Sequence, residues 1–242
     1  LNRVNSLRHR HLLEDVLSGI GIRVLGCLPK DPKLNLGSRH LGLIPSRENK
    51  QFSSQFGYWA SLAENNLDLK SLINLLQPPP IGRDPIKELI AEEFTSQKRS
   101  LTPVAIAEDE SFHFLYPETK ELMELSGMPT LPWRPLNDEP LPDQAKGLII
   151  PGGFPEVYAE QLSNCSRSLS DLRKWFCRRP IYAECGGMLL LGQTLEDTKG
   201  VTHKMAGLLP FHGEKGTLEI GYRNLEVEKD SLVLEQGDKL NG

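Results

Sequence analysis

One cysteine stands where its sulfur could act as a nucleophile. Ile181-Tyr182-Ala183-Glu184-Cys185-Gly186-Gly187-Met188-Leu189-Leu190-Leu191 reads as a strand, one reactive residue, two glycines and an apolar helix start, which is the layout of a nucleophile elbow. Small neighbours let the backbone bend tightly and a substrate approach. The amino end of the helix that begins there offers unpaired N–H groups and partial positive charge, which favours a thiolate. The competing reading is a buried structural residue, because free cysteine is among the most buried residue types.

A second element tips the balance toward chemistry. Ile150-Pro151-Gly152-Gly153-Phe154-Pro155-Glu156 is a strand followed by two glycines and a proline suited to a first helical turn. N–H groups of Gly152 and Gly153, together with that of Gly186, would form an oxyanion hole, worth about 3–4 kcal/mol per donor on a tetrahedral adduct. An ordinary strand-to-helix turn is the plain alternative for the diglycine. A cysteine nucleophile also needs a base, and downstream of Cys185 the chain offers His203 and His212. Either serves in principle, against the plain reading of each as an exposed loop histidine.

The elements that must position these residues follow from periodicity. Leu12, Leu13, Val16 and Leu17 form the stripe of an amphipathic helix over 9–19, and Val24-Leu25-Gly26-Cys27-Leu28 predicts a short buried strand. A polar stretch with helical spacing runs to Gln77, where Pro78-Pro79-Pro80 stops it. An interdomain linker with a short helix near 84–95 is expected next. From Pro103 the pattern restarts as strand 104–107, a helix over roughly 117–126, strand 147–150, helices near 155–162 and 167–178, and strand 181–183. That alternation predicts a mainly parallel sheet in an α/β fold. Beyond Gly200, the alternating Leu218, Ile220, Tyr222, Leu225 and Val227 predict antiparallel strands.

Composition excludes several classes. The chain has 242 residues, with 28 Lys+Arg against 32 Asp+Glu and a net charge of −4. It carries no basic block suited to nucleic acid or anionic lipid and no apolar run of the roughly 18 residues a membrane span needs. A small-molecule or protein partner is therefore expected, in the cytoplasm. The four cysteines show no C-x-x-C pair and no zinc-ligand spacing, so no metal site is expected from them. The opening Leu1-Asn2-Arg3-Val4 reads as the end of a strand whose start lies upstream, so a segment of a longer protein is expected.

In combination these motifs resemble the cobyrinate a,c-diamide synthase family, bifunctional enzymes that join an ATP-dependent synthetase domain to a triad glutaminase domain. The likeness is carried by Asn2-Arg3-Val4, His9, Leu28-Pro29, Arg39-His40-Leu41-Gly42-Leu43, Pro103 to Asp109, Phe112-His113-Phe114-Leu115-Tyr116, Pro135-Leu136, Gly152 to Glu156, Ala183 to Gly187 and Gly221-Tyr222-Arg223. It implies a remnant of a P-loop-type synthetase domain over 1–77, a linker over 78–100, and a class I (triad) glutamine amidotransferase-like α/β domain over 101–242 that is incomplete at its carboxyl end.

The same resemblance implies a ligase of cobalamin biosynthesis. Cys185 attacks the side-chain amide of glutamine and releases ammonia; ATP and Mg²⁺ activate the a and c acetate carboxylates of a corrin ring, which ammonia converts to amides. Arg39, His40 and Asp109 are then expected near nucleotide or substrate. The plain readings are a loop arginine and a capping histidine for the first two, complement to the helix dipole for Glu156, and packing for His113 and Tyr116. Hydrogenobyrinate, a nickel tetrapyrrole and the cobyric acid synthase amide positions are alternative acceptors; a noncatalytic binding module of the same fold is the alternative outside enzymes.

Two departures from the family pattern matter. No G-x-x-x-x-G-K-[ST] phosphate loop occurs in the chain. The family's triad histidine and its acidic partner follow the Gly-Tyr-Arg strand in a stretch that would begin beyond Gly242, and His203 and His212 do not match it. The chain taken alone is therefore expected to be nearly inert.

Overall fold

The computed structural model describes residues 1–35, 52–77, 82, 88, 101–217, 221–231 and 234–241. The chain divides into two compact units, Leu1–Pro85 and Ile86–Gly242.

In the first unit, α1 (Leu7–Gly19) starts at Ser6, whose side chain accepts a hydrogen bond from the His9 N–H. α2 (Phe52–Asn66) and α3 (Leu69–Leu75) follow, the latter capped by Asp68 through the Ser71 N–H. The stripe on α1 is not a core face: Leu12 and Val16 are exposed and the helix buries no residue. The strand expected over 24–28 is also not a ladder. Gly26 makes a single antiparallel bridge with Leu67, and Pro29 a single parallel one with Val4. Pro29 has no N–H to extend the pairing, and Gly26 contributes no side chain to pack. The linker and the helix near 84–95 fall almost wholly outside the described residues.

The second unit is built on a parallel sheet. Val104-Ala105-Ile106-Ala107 is apolar at every position because both faces of this strand, β1 (Val104–Ala107), are covered. β2 (Phe112–Phe114), β3 (Thr130–Trp133), β4 (Gly147–Ile150), β5 (Gly152–Gly153) and β6 (Ile181–Ala183) follow in the chain. β1, β3, β4 and β6 form one sheet in the order β3-β1-β4-β6 with every pair parallel, as the alternation predicts. β2 and β5 pair antiparallel as a short separate ribbon.

Side-chain alternation divides the core between the two faces. Ala105, Ala107, Trp133, Leu148 and Ile150 pack with Leu162, Leu169, Leu172, Trp175, Leu190 and Leu191. These come from α5 (Ala159–Asn164), α6 (Ser166–Trp175) and α7 (Gly186–Leu191). On the other face Val104 and Ile106 meet Met123 of α4 (Pro117–Leu125), a helix opened by a proline at its first position. Pro132 lies on the β3 edge, where a missing donor is tolerated.

After α7 the chain forms β7 (Thr194–Glu196), β8 (Thr202–Lys204) and β9 (His212–Gly213), with β7 antiparallel to β8 and parallel to β9. β10 (Asn224–Glu226) and β11 (Lys239–Asn241) pair antiparallel. Of the alternating run that predicts antiparallel strands, Leu218 and Ile220 lie outside the described residues, and Tyr222 is 99% exposed, so the alternation there does not mark a buried face.

The β7–β8 turn is tied by one carboxylate. Asp197 Oδ1 accepts from the N–H groups of Lys199 and Val201, and Oδ2 lies 3.0 Å from His203 Nε2. The Val201 N–H first, and then His203, hold the Asp197 carboxyl down at about 2. Its folded value lies below the ordinary value of about 3.9, so its contribution is complete above about pH 4 and is lost as pH falls toward about 2. The amides of Lys199 and Val201 should accordingly lose protection from hydrogen exchange across that window by NMR, and Asp197→Asn should abolish this dependence. Amides that stay equally protected from pH 5 to pH 2 would show that the carboxylate does not hold the turn.

Candidate active site

Two neighbouring strands end side by side and turn away differently. β4 and β6 run parallel, with Ile150 opposite Ala183, and the Glu184 N–H donates to the Ile150 carbonyl at 3.2 Å. From β4 the chain passes through Pro151 into the diglycine arm, β5; from β6 it turns at Cys185 into α7.

That second turn carries the strain of an elbow. Cys185 adopts φ 48 and ψ −124, a conformation L-residues rarely adopt. The turn is closed by the Gly187 N–H on the Glu184 carbonyl at 2.8 Å and by the Met188 N–H on the Cys185 carbonyl at 3.1 Å. Leu190 and Leu191 anchor the short helix in the core. Cys185 is exposed, so its sulfur stands at the surface rather than among aliphatic side chains.

The arm and the elbow touch through main chain. A Cβ placed on Gly152 would lie 3.4 Å from the Cys185 Cβ and 3.4 Å from the Phe114 Cβ. At Gly186 it would lie 2.7 Å from the Gly153 carbonyl oxygen, and at Gly153 it would collide with the Ser111 carbonyl. Glycine at 153 and 186 is thus required by close backbone approach. The structure brings Gly152 and Gly186 to Cys185, with Gly153 one step behind and its carbonyl against Gly186.

Side chains complete the surroundings. Phe114 lies beside Gly152 and stacks edge-on with Phe154 at 5.2 Å and with the His113 ring at 4.6 Å. Phe112 is fully buried, whereas Tyr116 is exposed. Glu156 occupies the first turn of the 3₁₀ helix Pro155–Tyr158, where a carboxylate complements the helix dipole. On β6 the Tyr182 hydroxyl donates to Glu184 Oε2 at 3.0 Å, and this carboxylate pushes the Tyr182 hydroxyl above its ordinary value. Sequence reasoning missed this pair; the signal was there, because residues 182 and 184 share one side of a strand and adjoin the nucleophile.

The remaining expected site residues lie elsewhere. Arg39 and His40 are outside the described residues. Asp109 is buried, and its hydrogen bonds go to Ser111, Phe112 and Leu136, so it does not face a ligand. His203 is held at Asp197, and His212 Nδ1 lies 2.8 Å from Thr194 Oγ1. Among the described residues neither ring is hydrogen-bonded to the Cys185 thiol. Nor do the described residues contain a group of three or more His, Cys, Asp or Glu able to hold a metal ion. The sequence holds no phosphate loop, and the residues expected near nucleotide, Arg39 and His40, lie outside the described residues. No helix among the described residues is long and apolar enough to cross a membrane.

Comparison with known proteins agrees with this geometry. The model of the CobB/CobQ-like glutamine amidotransferase domain matches residues 103–237, which include both the arm and the elbow. The cobyrinate a,c-diamide synthase of Caldanaerobacter subterraneus subsp. tengcongensis is 35% identical over 246 residues, a match covering 100% of this chain and 53% of the relative. The hydrogenobyrinate a,c-diamide synthase of Agrobacterium fabrum is 34% identical over 245 residues, covering 100% and 54%. A cobyrinate a,c-diamide synthase of Synechocystis is 35% identical over 245 residues, covering 100% and 50%. The chain therefore spans about half the length of the curated relatives it matches. With the amidotransferase model matching more than half its length over the very segments that build the site, the chain belongs to the CobB/CobQ-like glutamine amidotransferase family.

Proposed function

We propose that this chain carries the glutamine-hydrolysing centre of a longer a,c-diamide synthase, a ligase that amidates the a and c acetate carboxylates of a corrin ring in cobalamin biosynthesis. The observation that carries the reading is the strained, exposed Cys185 with the diglycine arm against it. The relatives' names supply the class of acceptor. Because both cobyrinate and hydrogenobyrinate synthases are among them, the ring with and the ring without cobalt are both acceptors to be tested.

Chemically, the Cys185 sulfur adds to the side-chain amide carbon of glutamine. Backbone N–H groups of Gly186 and of the Gly152-Gly153 arm stabilise the oxyanion that forms. Collapse of the adduct, with a proton delivered to nitrogen, releases ammonia and leaves a thioester on Cys185. Water cleaves the thioester to glutamate and restores the thiol. The family resemblance assigns the proton carrier to a histidine that follows the Gly-Tyr-Arg strand; among the described residues neither His203 nor His212 is hydrogen-bonded to the thiol. Residues 1–77 then form part of the synthetase domain. ATP with Mg²⁺, as the family resemblance implies, would supply the leaving group that a bare carboxylate lacks. Four free cysteines suit a reducing cytoplasm.

Cys185→Ala in the full-length protein should lower glutamine-dependent amidation by about 10³-fold or more while leaving synthesis from free ammonia within about twofold. Mass gain on cobyrinate and hydrogenobyrinate measures both. Equal loss with the two nitrogen donors would make Cys185 structural, and no mass gain on either ring by the unmodified protein would remove the reading. Gly153→Ala should lower glutamine hydrolysis by about 100-fold, because a methyl group there forces the arm off the Ser111 carbonyl. Ammonia-dependent synthesis should again persist. Hydrolysis by Gly153→Ala within twofold of the parent would show that the arm has no part in the reaction.

A further inference from the structure

The chemistry above leaves one buried carboxylate without a task. Asp109, only 4% exposed, stands just beyond the end of β1. Its Oδ1 accepts from the Ser111 N–H at 2.9 Å, the Ser111 hydroxyl at 2.6 Å and the Phe112 N–H at 3.2 Å. Its Oδ2 accepts from the Leu136 N–H at 2.9 Å, 27 residues away. Oδ1 thus takes three of the chain's own donors and Oδ2 one. A buried carboxylate that accepts three backbone N–H bonds and a hydroxyl from the chain itself is placed to hold backbone.

What it holds leads to the thiol. The Ser111 carbonyl accepts from the Phe154 N–H at 3.0 Å, and the Asp109 N–H donates to the Phe112 carbonyl at 3.1 Å. The strand that starts there pairs Phe112 with Gly153 and Phe114 with Gly152. Gly152 in turn adjoins Cys185 and Gly153 adjoins Gly186. The chain of contacts therefore runs from Asp109 through the Ser111–Phe112 turn to the arm, and from the arm to the elbow.

We propose that Asp109, acting with Ser111, is a positioning residue for the glutaminase reaction: it sets where the diglycine arm stands relative to the Cys185 sulfur and touches neither substrate nor sulfur. This rests on the glutaminase reading. Backbone donors aimed at an oxyanion matter most in the transition state. A small displacement of the arm should lower kcat and leave KM nearly unchanged. A role confined to fold stability would lower the apparent kcat only by the unfolded fraction, and kcat counted per folded molecule would not change.

The test uses Ser111→Ala and Asp109→Asn in the full-length protein. Ser111→Ala removes only the 2.6 Å hydroxyl bond. Asp109→Asn forces an amide N–H against one of the four donors. Glutamine hydrolysis should lose about tenfold in kcat for Ser111→Ala and about 100-fold for Asp109→Asn, with KM within about twofold. Binding of glutamate γ-semialdehyde should weaken by the same factor as kcat/KM. That aldehyde takes up the Cys185 sulfur at its carbonyl carbon, the thiol proton passing to the carbonyl oxygen, and so uses the same donors. Alkylation of Cys185 by iodoacetamide forms a sulfur–carbon bond as iodide leaves and makes no oxyanion; its rate should stay within about twofold. An unchanged kcat in folded variants, or an alkylation rate that falls in step with kcat, would overturn the proposal. If the unmodified protein hydrolyses no glutamine, the glutaminase reading fails. The Gly152 and Gly153 amide resonances then decide the positioning claim alone: they should move in Ser111→Ala, and their failure to move would overturn it.

Discussion

The backbone of Cys185 is the constraint on which the site depends. A non-glycine residue at φ 48 and ψ −124 carries strain of about 1–3 kcal/mol and persists only when its surroundings over-determine it. Here they do so from both sides. β6 is registered against β4 up to Ala183, and the Glu184 N–H continues that pairing onto the Ile150 carbonyl. On the far side Leu190 and Leu191 are sunk in the core, so the helix cannot swing to relax the turn. A residue fixed between a paired strand and a packed helix has nowhere to discharge its strain, and its side chain is carried to the surface.

Parallel pairing then explains why the other parts arrive at the same place. All strands of a parallel sheet end on one edge, and ligand sites in open α/β sheets form beyond those ends. β1, β4 and β6 are consecutive neighbours. Asp109 follows β1, the diglycine arm follows β4 and Cys185 follows β6. Segments separated by dozens of residues thus emerge side by side, and Leu136, just beyond β3, joins them through its bond to Asp109. An antiparallel arrangement would have sent alternate loops to the opposite edge.

What could be read from the chain and what could not divides along the same line. The bend at Cys185 and the close approach of Gly152, Gly153 and Gly186 depend on local residue types, and that geometry was legible in short windows. The parallel sheet was legible too, because strands alternate with helices along the chain. Asp109 reads from the sequence as a residue near nucleotide or substrate, because its bond to a donor 27 residues away is not visible there. Phe114 resembled ordinary aromatic packing until its pairing with Gly152 placed it beside the cysteine. Leu25 and Cys27 gave the apolar run of a strand, yet their segment makes isolated bridges, which an apolar run alone does not reveal. His203 had the residue type of a base, but hairpin register assigned it to Asp197.

The contact between arm and elbow is main chain on main chain, and under the proposed glutaminase chemistry this bears on the oxyanion. A donor carried on a flexible side chain must be ordered each time charge develops, whereas an N–H fixed by strand pairing and a helix start is already in place. Close backbone approach is also what excludes side chains at Gly153 and Gly186. The same feature makes the arrangement sensitive to whatever sets the backbone. A side chain on Gly153 would collide with the Ser111 carbonyl, and one on Gly186 would press the Gly153 carbonyl, so the arm lies close to both. The position of the arm is therefore bounded on one side by the turn that Asp109 ties and on the other by the elbow, so that the buried carboxylate and the exposed thiol belong to one mechanical unit.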